Sequence, residues 1–280
     1  MRTQRVLAPD VVDYRDRVSV VTWAVLFVLA AGTWLPWPEK AITFQVLGSP
    51  LTIELDQTVI LTAILILASC SGTEAVVRSH PLALRGQLRQ SWLYWILPAA
   101  VLVIAAGMRP FMSTAAGLMI LVLAAGALFA IAETAIYHTI DRSDPHYHLA
   151  RIAANAVAYV VTLALFLIIY RTRVRSLLSA TVIMVVAASL AIELLRGYGK
   201  ETQRVLLYAG IVGLVSAEAT WALNYWRTTG PQPGLILLLI FYVLVGVAQQ
   251  EMLQRLTHTV LLEYAAVTLI GLALITLLPL

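Results

Sequence analysis

Long apolar runs that carry almost no charged side chain constrain this chain more than any other feature. Of the 280 residues, 60% are hydrophobic and only 12% are charged, about half the charged share of a soluble globular chain. An apolar run of about 18 or more residues is typical of a helix that crosses a membrane. Such runs lie at residues 18–34, 57–76, 92–108, 112–138, 152–170, 177–195, 205–226, 235–252 and 259–278. The sequence therefore predicts an all-α, polytopic transmembrane bundle of about nine helices.

The connections between these runs are short, which predicts one transmembrane domain over residues 18–280 after a polar N-terminal segment, residues 1–17. The loop at residues 38–56 differs from the others, because apolar and polar residues alternate on both sides of a Gly-Ser-Pro turn. That alternation is typical of a β-hairpin, and we expect it at the outer face. Pro98 lies within the third run and predicts a kink there.

Basic residues indicate the orientation, because cytoplasmic loops of membrane proteins are rich in Lys and Arg. If the N-terminus is cytoplasmic, the larger share of the 19 Lys and Arg residues falls on that same side. The group at residues 171–175 argues the other way, and one misjudged span would invert every later helix. The net charge of +4 therefore indicates topology and contact with the lipid bilayer, and nucleic acid is not expected as a partner.

Ionisable residues within membrane spans are functional candidates, because placing a charge in hydrocarbon costs about 2.5–3.5 kcal/mol even on insertion scales. Three acids are followed by an arginine three or four residues later, a spacing that shares one helix face. The alternative to a functional role for these acids is therefore a ring of salt bridges at the helix ends. The candidates for binding or proton relay outside the seventh span are Glu74 with Arg78, Glu133, Glu251 and Glu263; Glu193 with Arg196 and Glu251 with Arg255 are the other acid–arginine pairs.

Glu218 is predicted to lie in the outer half of the seventh span, apart from the other acids. Trp221 and Tyr225 share its helical face by spacing, and Asn224 lies near the edge of that face. This group could hold a proton, a cation or a polar head group. It could equally be a neutral acid bonded to a neighbouring helix, with the aromatic residues in an interfacial belt.

All five histidines fall on the predicted cytoplasmic face, and three of them stand in the segment HTIDRSDPHYH at residues 138–148. Imidazole and carboxylate groups so close together could bind a divalent metal. The Asp-Pro pair in this segment also reads as an ordinary turn before a helix. The candidate ligands are His138, Asp141, Asp144, His146 and His148. No other cofactor is indicated.

Several segments resemble an uncharacterised family of bacterial multi-spanning membrane proteins. They are LGSPLTI at residues 47–53, GTEAVVRSHP at residues 72–81, EATWALNYW at residues 218–226 and LEY at residues 262–264. The resemblance covers most of the chain and implies a bacterial cytoplasmic membrane. It brings no established activity.

Three functions remain open. The favoured one is a non-enzymatic membrane subunit, scaffold or binder of a lipid or small molecule, with membrane proteins as possible partners. The second is a proton-coupled transporter of a small solute that uses the intramembrane glutamates. The third is a metal-dependent enzyme that modifies a lipid or isoprenoid at the cytoplasmic interface.

Overall fold

The computed structural model describes residues 14–32, 37, 40–46, 49–88, 90–171, 176–199, 201–226 and 230–277. Over these residues the chain is almost entirely helical, as predicted. The helices are α1 (Tyr14–Ala31), α2 (Gln57–Arg78), α3 (Pro81–Leu84), α4 (Ile96–Met108), α5 (Ala115–Thr139), α6 (Tyr147–Arg171), α7 (Ser176–Leu195), α8 (Thr202–Tyr225), α9 (Gln232–Met252) and α10 (His258–Leu277). Two 3-10 turns, Ser91–Tyr94 and Arg109–Phe111, flank α4.

Seven of the described helices, α2 and α5–α10, are long and apolar enough to cross a membrane. They indicate an integral membrane protein, because an apolar helix of this length crosses the hydrocarbon core and satisfies its own backbone groups there. The other two helices that correspond to predicted spans, α1 and α4, do not meet the criteria of length, apolar character and low charge. Helix α1 begins with three charged residues, Arg15, Asp16 and Arg17. Helix α4 has 13 residues and measures only about 20 Å at 1.5 Å per residue. Nine spans remain a prediction.

Helix α4 also differs from expectation at Pro98. The helix begins at Ile96, so Pro98 stands in its first turn, where a missing N–H breaks no intrahelical hydrogen bond. No kink is needed to accommodate this proline. The aromatic start of the predicted span lies instead in the 3-10 turn Ser91–Tyr94.

The loop predicted as a hairpin contains two antiparallel strands, β1 (Lys40–Val46) and β2 (Ser49–Leu55). Their register pairs Val46 with Ser49 and Thr43 with Thr52. The central turn, residues 47–48, lies outside the described part of the chain. The hairpin joins the C-terminal end of α1 to the N-terminal end of α2, so it lies at the end of the bundle that we call the hairpin end. Its outer location stays a prediction.

Successive long helices run in opposite directions, and side-chain contacts at both ends establish this. At the hairpin end, the Gln57 amide donates to the Gly32 carbonyl at 2.7 Å and Gln57 accepts from Arg109 at 3.0 Å. At the opposite end, Tyr14 contacts His138 and Arg142 donates to the Gly197 carbonyl at 2.8 Å. We call this second end the histidine end, because all five histidines lie in the segments that form it.

The helices approach closely where small residues face each other, as is usual in membranes. Gly213 of α8 is the clearest case. A Cβ atom there would lie 2.7 Å from the Met184 carbonyl oxygen and 2.9 Å from the Ala188 Cβ of α7. Helix α10 is peripheral, with no buried residue, and packs against α9 through Tyr264 and Gly246.

Candidate functional site

A pocket of about 850 Å³ opens at the histidine end, among the ends of α4–α8. Three of its lining side chains are arginines, Arg142, Arg151 and Arg196, and no acidic side chain is among the lining residues in the described part of the chain. Tyr94 and Thr202 add hydroxyl groups to its wall. We call this cavity the arginine pocket. Its charge and donors suit an anionic ligand.

Glu193 supplies the only countercharge that the structure pairs with these arginines among the described residues. Its Oε2 accepts from Arg196 Nε at 2.7 Å, and its Oε1 lies 3.7 Å from Arg151 Nη1. The second distance gives electrostatic attraction but is too long for a hydrogen bond. Glu193 is 1% exposed, so one buried carboxylate faces two buried guanidinium groups and offsets only part of their charge.

Arg151 enters the bundle from the first turns of α6. Its Nη2 donates to two carbonyls at the C-terminal end of α7, Glu193 at 3.1 Å and Leu194 at 2.6 Å. These oxygens lack intrahelical donors at a helix end and attract a cation. The side chain is nine-tenths buried, yet its Nε and Nη1 have no hydrogen-bond partner. Two donors of a buried cation are thus unused in a pocket that it lines.

The α7–α8 loop fits closely around this guanidinium. A Cβ atom on Gly197 would lie 2.9 Å from Arg151 Cζ, so only glycine permits the contact. The Tyr198 ring lies 5.7 Å from the same Cζ, within cation–π range.

Arg196 is fixed from three sides. Besides Glu193, its Nη2 donates to Thr139 Oγ1 at 3.0 Å, and its Cζ lies 4.4 Å from the centroid of the Tyr94 ring. Burial opposes the charge, but the attraction and hydrogen bond of Glu193 outweigh it and raise the pKa of Arg196. Burial also raises the pKa of the Tyr94 phenol, which therefore keeps its proton and can donate.

The loop between α5 and α6 gathers three of the predicted metal ligands. His138 Nδ1 lies 2.8 Å from Asp144 Oδ2, and His146 Nδ1 lies 3.4 Å from Asp144 Oδ1. The ligand atoms of the three side chains lie within 4.8 Å of one another. Asp141 and His148 are not members of this group. The Asp141 carboxylate accepts instead from the N–H and hydroxyl of Ser143.

Aromatic residues hold His138 from the other side. The Tyr14 hydroxyl lies 3.2 Å from His138 Nε2, and the Tyr14 ring stacks on Tyr137 with centroids 4.1 Å apart. The His80 ring packs edge-on against Tyr137, with the ring centroids 4.9 Å apart. Burial lowers the pKa of His80, against the opposing charges of Asp141 and Asp144.

Burial tends to raise the pKa of Asp144, but hydrogen bonds from His138 and from the His146 N–H outweigh it and lower the pKa. The carboxylate is therefore ionised near neutral pH. Because both histidines face an ionised carboxylate, this loop offers two nitrogen ligands and one oxygen ligand.

Glu74 and Arg78 form the ion pair predicted from their spacing, with Arg78 Nε 2.5 Å from Glu74 Oε1. The same carboxylate accepts from Ser91 at 3.0 Å and from the Trp95 indole at 2.8 Å. Glu74 thereby attaches the turn before α4 to the end of α2. These contacts agree with the alternative to binding or proton relay, in which Glu74 forms a salt bridge at a helix end.

Glu133 is fully buried between helices. Its Oε1 accepts from the Thr73 hydroxyl at 2.5 Å, while its Oε2 has no hydrogen-bond partner. The Thr22 hydroxyl of α1 is also buried without a partner. Helix α1 packs against both α2 and α5, and the Thr73–Glu133 hydrogen bond joins those two helices to each other.

Thr73→Val should lower the free energy of unfolding by about 1–3 kcal/mol, because it removes the donor from which the buried Glu133 Oε1 accepts. Thermal denaturation of the protein in detergent would measure the loss. Thr22→Val is the matched control, since the Thr22 hydroxyl has no partner to lose. An equal loss in the two variants would show that the Thr73–Glu133 hydrogen bond contributes nothing specific.

Glu218, Trp221, Asn224 and Tyr225 are all exposed on the surface of α8. The predicted shared face is present, and Tyr225 is 82% exposed. Glu263 of α10 is exposed and Glu251 of α9 is half-buried. In the described part of the chain no hydrogen bond or ion pair joins Glu218 to either acid, and none pairs Glu251 with Arg255. A role for these residues in binding or proton relay stays a prediction.

Sequence reasoning missed the arginine pocket. The Glu193–Arg196 pair predicted from spacing is confirmed. Arg142 and Arg151 are among the basic residues that indicated only the orientation of the chain. The available signal was the position of Arg151, which directly precedes the apolar run at residues 152–170. Tyr14, which contacts His138, was also missed because it precedes the first apolar run.

These features define a multi-helical integral membrane protein with a basic pocket at one end of the bundle. The model of the DUF5656 family, described as a protein of unknown function, matches residues 37–278. The chain therefore belongs to this family, which confirms the resemblance to an uncharacterised family. No curated protein and no solved structure matches the chain.

Proposed function

We propose that the protein is a non-enzymatic binder of an anionic membrane lipid, whose phosphate head group occupies the arginine pocket. The observation that carries this proposal is Arg151, a buried guanidinium with two unused donors in a cavity lined by two further arginines. Arginine suits phosphate because its planar donors bind the oxygens in pairs. Basic pockets between transmembrane helices on the cytoplasmic side are known to bind anionic head groups.

The position of the pocket favours a lipid over a soluble ligand. It lies where α5 and α7 end and α6 and α8 begin, the level at which lipid head groups meet a membrane protein. Leu88, Leu93 and Ile140 also line it, so apolar surface adjoins the arginines. We propose further that the histidine end faces the cytoplasm of a bacterium, as the basic residues indicate.

Binding can be tested by native mass spectrometry of the purified full chain in detergent. The probes are phosphatidylglycerol, phosphatidylcholine and inorganic phosphate. We expect phosphatidylglycerol to be retained at least tenfold better than phosphatidylcholine. Arg142→Gln should weaken this retention about tenfold or more, because a hydrogen bond to a charged group contributes about 1.5–3 kcal/mol. Arg142 is exposed and its hydrogen bond to the Gly197 carbonyl lies at the surface, so the substitution should leave the helical bundle intact.

Arg204→Gln is the matched control. Arg204 lies at the same end, is exposed and pairs with Glu201 at 3.4 Å, but it does not line the pocket. Equal loss of lipid in both variants would overturn the proposal, because general surface charge would then explain binding. Equal retention of the two lipids would also overturn it. Saturable binding of inorganic phosphate with the same dependence on Arg142 would show that the pocket takes a soluble phosphate instead.

A further inference from the structure

We infer that His138, Asp144 and His146 form a binding site for a divalent transition metal of the zinc or ferrous iron class. Of the five candidates suggested by sequence, these three are the ones that the loop brings together. Two imidazoles and a carboxylate form the ligand set of many zinc and non-haem iron sites. This inference concerns a different part of the loop from the arginine pocket and does not depend on lipid binding.

The present distances need only a small adjustment. Metal–ligand bonds of about 2.0–2.2 Å place ligand atoms up to about 4 Å apart, and the three atoms here lie within 4.8 Å. The His146 side chain is 66% exposed, so its imidazole can rotate toward the other two without disturbing the core. His138 and Asp144 are each 17% exposed and already in contact. They form the fixed part of the site.

Tyr14 is placed where metal sites carry a supporting group. A histidine ligand usually binds the metal through one nitrogen while the other is hydrogen-bonded, which fixes the orientation of the ring. Here His138 Nδ1 faces Asp144 and His138 Nε2 faces the Tyr14 hydroxyl. The stack of Tyr14 on Tyr137 holds this hydroxyl in place. Tyr14 is therefore a positioning residue for the proposed ligand.

The last residue of α5 and the loop after it also line the arginine pocket, through Thr139, Ile140 and Arg142. Arg142 attaches the loop to Gly197 on the opposite wall. A metal that crosslinks His138 to His146 would close the loop across residues 139–145. The proposed site would thus hold one wall of the pocket as well as bind an ion.

The test uses the full chain purified with a tag that contains no histidine, stripped with chelator and then titrated with Zn²⁺ by calorimetry. Co²⁺ absorption provides a second readout, because it reports nitrogen and oxygen ligands directly. We expect about one Zn²⁺ per wild-type chain. His146→Ala and Asp144→Asn should each weaken binding at least tenfold, and Tyr14→Phe should weaken it about tenfold, as loss of a supporting group does.

His148→Ala is the matched control, since His148 is an exposed histidine two residues from His146 but outside the group. It should bind Zn²⁺ as the wild type does. Equal weakening in His148→Ala and His146→Ala would overturn the inference, because scattered surface histidines would then account for binding. Absence of saturable binding to the wild type would overturn it too, and His138 and Asp144 would then form a hydrogen-bonded pair only. His146→Ala changes an exposed side chain, so folding is not at risk.

Discussion

Glu193→Gln should lower the free energy of unfolding by about 3–5 kcal/mol, as expected when one partner of a buried ion pair is removed. Glutamine has nearly the same size and shape, so packing is preserved. The substitution leaves Arg151 and Arg196 without the carboxylate that lies 3.7 Å and 2.7 Å from them. Both guanidinium groups are at least nine-tenths buried, so water cannot replace the lost charge. Chemical or thermal denaturation in detergent would measure the change.

Glu201→Gln is the control for this experiment. Glu201 pairs with Arg204 at 3.4 Å, but the two side chains are 70% and 66% exposed. A surface pair of this kind contributes about 0–1 kcal/mol, and we expect a loss in that range. If Glu193→Gln lowered the free energy of unfolding by no more than Glu201→Gln does, the buried arginines would be satisfied without Glu193. If the fold survives, the variant should also bind phosphatidylglycerol more tightly, because the carboxylate that offsets the charge of Arg151 and Arg196 is gone.

The helical bundle could be predicted from sequence because hydrocarbon leaves the backbone little choice. The order and alternation of the long helices follow from the apolar runs alone. The boundaries do not, since α6 begins at Tyr147 rather than at the predicted residue 152. The extra turn contains Arg151, whose side chain lies inside the bundle. Its partners, Glu193 and Leu194, lie more than 40 residues along the chain, and a single sequence does not reveal such a pairing.

The candidate site was predictable only in part, for a similar reason. A cluster of histidine and aspartate could be read from residues 138–148, but its geometry depends on how the loop turns. Asp144 accepts from the His146 N–H at 2.7 Å, which brings these two side chains together and leaves His148 outside. The prediction for Glu218 depended on which residues share its helical face, and their spacing in the sequence is enough to predict this. Its exposure depends on which neighbours α8 contacts, and spacing says nothing of them.

Gly213→Leu should also destabilise the protein strongly, by about 3 kcal/mol, at the high end of the range for overpacking. The reason is the contact between α7 and α8. A Cβ atom on Gly213 would meet the Met184 carbonyl oxygen at 2.7 Å, closer than side-chain carbons approach. That oxygen belongs to the backbone, so it cannot move aside unless the helix moves. Glu193 of α7 pairs with two arginines of the pocket, and Thr202 at the start of α8 lines it. Separating the two helices should therefore also weaken lipid binding.

Gly210→Leu tests whether this effect arises from packing or from replacement of a helical glycine. Gly210 lies one turn earlier in α8, and a Cβ atom there meets nothing within 4 Å. Leucine favours a helix over glycine by several tenths of a kcal/mol, so this control should be neutral or slightly stabilising. Thermal denaturation of both variants separates the two cases. Similar melting temperatures for the two variants would show that α7 and α8 can part without cost, and the close contact at Gly213 would then not hold this bundle together.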